Sequence, residues 1–113
     1  MHEMSLAEGI GQIIEDAARR EAFTQVRRLR LEIGQLANVE REALKFALDV
    51  VLRGGAAGEA EIVMLDAPGC GWCFNCDAEV NIGSLLEPCP RCGGYGVRAT
   101  GGMEMRVVDL EVE

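Results

Sequence analysis

Apolar residues first recur at helical spacing. Leu6, Ile10, Ile13, Ile14 and Ala17 fall at steps of three and four and make one stripe, which predicts an amphipathic helix over about 5–22. Ser5-Leu6-Ala7-Glu8 has the form of a capping box for its first turn. Gly9 and Gly11 either weaken this helix by about 1 kcal/mol each or permit close packing against a sheet. The period then changes to two. Leu29, Leu31 and Ile33 alternate with Arg30 and Glu32, which predicts a half-buried strand within 24–35. Leu44, Ala47, Leu48 and Val51 restore the helical period over about 39–53, and Gly54-Gly55 supplies a left-handed cap. A short apolar strand over 60–66 carries Val63 and Leu65 on one side, and Pro68-Gly69 marks a boundary. Residues 103–112 read as a last strand. Its apolar phase slips at Val107-Val108, which requires a bulge or two buried faces.

The order helix–strand–helix–strand, an interruption, then a strand predicts an α+β fold: two helices on a three-stranded mixed sheet. The interruption is 67–100, which holds every cysteine, the single tryptophan and all three prolines. It reads as an inserted four-cysteine zinc-ribbon-like module, so that 1–66 and 101–113 form one domain and 67–100 the other.

Composition narrows the function classes. The formal charge is −8, and the one basic cluster, Arg27, Arg28 and Arg30, is followed closely by Glu32. Nucleic-acid binders of this size show a basic footprint, so no nucleic acid is expected as partner. No apolar run reaches the roughly 18 residues of a membrane span, and the start Met1-His2-Glu3-Met4 lacks the form of a secretory signal. Five cysteines in such a chain point to reduced thiols, metal binding and a cytoplasmic setting. No phosphate-binding glycine loop and no catalytic constellation stand out, so the chain is not expected to be an enzyme.

Two Cys-x2-Cys turns facing each other can complete a tetrahedron of sulfurs around one ion. Cys73-Phe-Asn-Cys76 and Cys89-Pro-Arg-Cys92 have this spacing, with residues 77–88 between them. The pairing predicts one structural Zn(2+). Four thiolates leave no open coordination position, which argues against catalytic zinc. Iron in a rubredoxin-like site would use the same ligands. Cys70 stands three before Cys73, so Cys70-Gly-Trp-Cys73 is a competing first knuckle; the preferred reading leaves Cys70 a free thiol. Trp72 and Phe74 are expected to pack around the module.

His2 is the only histidine. Its imidazole Nδ1, its backbone nitrogen and the α-amine of Met1 can close adjacent chelate rings, with the backbone nitrogen of Glu3 as a fourth donor. Planar nitrogen sets suit Ni(II) or Cu(II) better than zinc.

The start Met1-His2-Glu3-Met4-Ser5-Leu6, the strand end Leu31-Glu32-Ile33-Gly34, the paired knuckles and the closing strand together resemble the HypA/HybF family, over essentially the whole chain. That family comprises nickel chaperones for nickel–iron hydrogenase maturation. The resemblance implies a nickel-binding domain of two helices and a three-stranded sheet with a zinc domain inserted. It implies Ni(2+) bound at Met1, His2 and Glu3 as transferred cargo, with His2 the essential ligand and Met1 and Glu3 contributing mainly main-chain nitrogens. It implies structural zinc on Cys73, Cys76, Cys89 and Cys92. It further implies a HypB-type GTPase as partner, the hydrogenase large subunit as client, urease maturation proteins in some relatives, and a monomer or homodimer. Some members carry histidines beside the knuckles; this chain has none there. The outer face of the first helix, with Glu15, Asp16, Arg19 and Arg20, is the expected docking side for the GTPase. Two other classes compete: a zinc-ribbon adaptor with an inert N-terminus, and an iron-bearing electron carrier.

Overall fold

The computed structural model describes residues 2–113. In chain order the elements are α1 (Glu3–Glu21), β1 (Val26–Gly34), α2 (Arg41–Val51), β2 (Glu61–Ala67), β3 (Cys70–Cys73), β4 (Ala78–Asn81), β5 (Val97–Gly101) and β6 (Met105–Val112). They form two helices, a mixed three-stranded sheet of order β2-β1-β6, and a second three-stranded sheet of order β4-β3-β5. The chain separates into two compact units. One comprises the chain up to Leu31 with Val39–Met64 and Val107–Glu113; the other comprises Glu32–Asn38 and Leu65–Arg106.

In the first unit the stripe on α1 is buried at Ala7, Ile10, Ile14 and Ala17, and that on α2 at Leu44, Ala47 and Leu48. Ile13 falls at the edge of the stripe and is exposed. The capping box does not form. Helix α1 begins at Glu3 with His2 as its N-cap and no side-chain cap bond, so Ser5 is already the third helical residue and cannot be the cap. Helix α2 is capped by Glu40, whose carboxylate accepts from the amides of Glu42 at 3.2 Å and Ala43 at 2.7 Å. The left-handed residue after α2 is Gly54, at φ 80°, two residues past the cap Leu52. Gly11 does serve close packing, though against a helix: a Cβ there would lie 3.0 Å from Val51 Cγ1. Gly9 faces open space.

Strand β1 alternates as its sequence predicts, with Leu29, Leu31 and Ile33 buried. Its basic residues meet acidic side chains of the neighbouring strands. Arg28 donates to Glu61 at 2.6 Å and Glu111 at 2.7 Å, and Arg30 to Asp109 at 2.7 Å. Arg28 and Arg30 are therefore paired with acidic groups of the same sheet. Val107, Val108, Asp109 and Leu110 of β6 are all half-buried, which accounts for the slipped apolar phase by two partly covered faces.

In the second unit β3 is the central strand. It pairs antiparallel with β4, Cys73 opposite Ala78, and with β5, Cys73 opposite Val97. The register against β5 shifts between Cys70 and Gly71, a bulge at the start of the strand.

Candidate metal centre

Cys73 ends β3, and the turn after it delivers Cys76 before β4 begins. The second pair lies on the irregular stretch between β4 and β5. There Gly93, at φ 75°, turns the chain so that its amide donates to the Cys89 carbonyl at 2.8 Å, while the Cys89 amide donates to the Gly94 carbonyl at 2.7 Å. The four Sγ atoms lie within 4.8 Å of one another. Cys73 and Cys92 are 3.7 Å apart and Cys76 and Cys89 3.9 Å. A tetrahedron with metal–sulfur bonds of about 2.3 Å has edges of about 3.8 Å, so the cluster fits a divalent ion such as zinc.

Backbone amides point at three contacts on these sulfurs. Cys76 N donates to Cys73 Sγ at 3.4 Å, Arg91 N to Cys89 Sγ at 3.4 Å and Gly94 N to Cys92 Sγ at 3.5 Å. Such donors favour the thiolate. The Asn75 side chain, followed by the Gly94 amide, draws the Cys92 thiol down to about 6. The amides of Cys92 and Arg91 lower Cys89. Cys76 moves the other way, to about 12, because it shares a hydrogen bond with Cys92 and is partly buried. Four sulfurs this close cannot all hold negative charge by themselves. A divalent cation removes that conflict.

Cys73 and Cys89 are buried, Cys76 is half-buried and Cys92 is exposed. Cys70 stands apart. Alternation along β3 places it on the face of Trp72, opposite Gly71 and Cys73, and its sulfur lies near Pro68 O at 3.8 Å and Asn81 Oδ1 at 3.9 Å. Trp72 is half-buried, but Phe74 is 66% exposed and does not pack around the module. Ligand spacing in the sequence does not single out Asn75. A short amide side chain between two cysteines is the signal that could have shown it.

At the other candidate site, Met1 lies outside the described residues. His2 is exposed and extended at φ −84° and ψ 99°, and its carbonyl accepts the first helical bond of α1, from Leu6 N at 3.1 Å. The Glu3 carboxylate accepts from the Glu40 amide at 3.2 Å. That bond and its own amide hold the Glu3 carboxyl below its ordinary range. The side chain of Glu3 is thus engaged with the start of α2, a contact with no signal in the sequence. Among the described residues, the four cysteines form the one cluster of histidine, cysteine or carboxylate groups close enough to hold an ion. Glu15, on the proposed docking face, lies 3.4 Å from the Ala56 amide, which donates to it, and Asp16 pairs with Arg19.

Among the described residues, no helix is long and apolar enough to cross a membrane. The family model described as hydrogenase/urease nickel incorporation, metallochaperone, hypA, matches residues 1–112. The hydrogenase maturation factor HypA of Cereibacter sphaeroides (strain KD131) is 53% identical over 113 residues, all of both chains. That of Rhodobacter capsulatus is 54% identical over 112 residues, 99% of each. The solution structure of the Ni metallochaperone HypA from Helicobacter pylori shares the fold, with a TM-score of 0.71 over 99% of this chain and 97% of that one at 21% identity. A helix-and-sheet unit joined to a four-cysteine ribbon, with this match end to end, places the chain in the HypA family of nickel-incorporation metallochaperones, which are not enzymes.

Proposed function

We propose that the chain binds one Ni(II) ion at Met1, His2 and Glu3 and delivers it during nickel–iron hydrogenase maturation, with zinc held by Cys73, Cys76, Cys89 and Cys92. The observation that carries the nickel reading is the position of His2. It is exposed and extended immediately before α1, and the helical bond from Leu6 N to His2 O is the first of the ladder. The amides at the helix start have no intrahelical acceptor, and the Glu3 amide, which meets only its own carboxylate, can exchange that contact for a metal. The His2 imidazole, its amide, the Met1 amine and the Glu3 amide then form a nitrogen set suited to Ni(II). Glu3 contributes through its main chain, which agrees with its carboxylate being engaged at Glu40. For the cysteines, the support is sulfur spacing that fits zinc, and zinc there is structural.

The partner in delivery is a HypB-type GTPase; the chain has no phosphate-binding glycine loop, so GTP hydrolysis belongs to that partner. The hydrogenase large subunit is the client, with urease maturation proteins as a second destination, and the setting is cytoplasmic.

The test is nickel titration of untagged protein beginning at Met1. One nickel per chain is expected, with zinc content also at one. His2→Ala should abolish nickel binding without changing zinc. Acetylating the amine should weaken it almost as much, and acidification should weaken it because protons compete for the same nitrogens. Full-strength binding by a chain with a blocked amine and His2→Ala refutes the N-terminal site and leaves a zinc-ribbon adaptor. A red iron–thiolate colour would refute zinc in favour of an electron carrier.

A further inference from the structure

The stretch between β1 and α2 reads in the sequence as a connector, yet it is built into the metal module. Leu36, 8% exposed, belongs to one buried cluster with Cys73, Val80, Ile82 and Cys89, and Cys76, Val97 and Ala99 pack against that cluster. Two residues of the metal centre therefore share their apolar surroundings with a side chain lying far from either knuckle in sequence. The backbone holds it there. Leu36 N donates to Gly102 O at 2.7 Å, and Gln35 N donates to Ala67 O at 2.9 Å. The Gln35 side chain accepts from Gly69 N at 3.1 Å, and Gly69 O accepts from Ile82 N at 3.0 Å. Gly69 leaves the space that Leu36 fills: a Cβ at that position would lie 2.8 Å from Leu36 Cγ and 2.2 Å from Ile82 O.

We propose that Leu36 is a positioning residue for the four-cysteine centre, closing the apolar side around Cys73 and Cys89 and so slowing loss of the ion. The proposal rests on the zinc reading above. Zinc leaves a thiolate site when water, protons or a competing ligand reach the sulfurs. Cys92 is exposed, so exchange proceeds from that edge, while Cys73 and Cys89 are shielded. Truncating Leu36 leaves a cavity in the buried cluster that contains Cys73 and Cys89 and loosens its packing, which opens a second route. Groups that support metal ligands without touching the ion commonly change metal affinity by about 10–100-fold.

The experiment is stopped-flow transfer of zinc from the full-length, zinc-loaded chain to an excess of a colorimetric chelator. Leu36→Ala should release zinc at least about tenfold faster than wild type, and Leu36→Met, of similar volume, should stay within about twofold. Leu44→Ala makes an equal truncation in the core of the other unit. It should lower the melting temperature and leave the release rate near wild type. Release unchanged in Leu36→Ala, or accelerated as much by Leu44→Ala, overturns the proposal. Should Leu36→Ala fail to fold, Leu36→Val must show an intermediate rate, and a wild-type rate there overturns it equally. A wild-type chain that holds no zinc at the outset overturns the zinc reading, and this proposal with it, whereas unchanged release from a loaded wild type and variant sinks only the role of Leu36.

Discussion

Cys70 and Cys73 are as close in sequence as the members of either knuckle, and spacing alone cannot separate them. Backbone conformation does. An extended strand turns residues three apart to opposite faces, whereas the turn from Cys73 to Cys76 brings both sulfurs to one point. Cys70→Ser should accordingly keep one zinc per chain and near-normal stability, while Cys76→Ser should lose zinc; metal analysis of the two purified variants decides, and the opposite pattern would move the first knuckle. A second effect at this scale is electrostatic. The Arg30 guanidinium, which donates to Asp109, holds that carboxyl below its ordinary value. A group with a depressed native pKa adds stability above its unfolded value and loses it as the pH falls through the native one. The stability gap between wild type and Asp109→Asn should therefore be present near neutrality and close as the pH drops below about 4. Urea midpoints measured across that range would show it, and a gap that widens on acidification would contradict the pairing.

Both helices follow from their apolar stripes, but their starts do not. The sequence offers Ser5 as a cap for α1, yet the helix begins earlier, with the Glu3 carboxylate engaged by the Glu40 amide. Helix α2 begins at an uncommon cap, a glutamate that satisfies two of the first amides. Glu40→Ala removes that acceptor and should cost roughly 1 kcal/mol of stability by chemical denaturation. The Glu3 bond is made to the Glu40 main chain and should survive the change. Caps are settled by one or two hydrogen bonds, too local for periodicity to register, and the Glu3 carboxylate at the start of α1 bonds an amide 37 positions away.

At the scale of the molecule, the two units draw on different sources of stability. The first has an aliphatic core of Ile10, Ile14, Leu29, Leu31, Leu44 and Leu48, all buried. The second has a small cluster built around two cysteines, and a structural zinc contributes on the order of 10 kcal/mol in modules of this kind. Cys89→Ser, or strong chelation, should unfold the segment 67–100 while the helical unit keeps its structure. Amide spectra of the chelated protein measure this directly: unchanged signals from that segment would remove the structural role of the metal.

Read alone, the sequence determined the two helices, the alternating strand β1, and the four cysteines as a set, because periodicity and ligand spacing are local properties of the chain. It also carried the family, through the Met1-His2-Glu3 start combined with the paired knuckles. Tertiary structure alone decided that Cys70 faces away, that Gly11 meets α2 rather than a sheet, that Phe74 is exposed, that the Glu3 carboxylate meets Glu40, and that Leu36 shares a core with Cys73 and Cys89. Each of these depends on which distant segment fills the space beside a residue. A hydrophobic pattern states that a face will be covered, and chain packing alone selects what covers it.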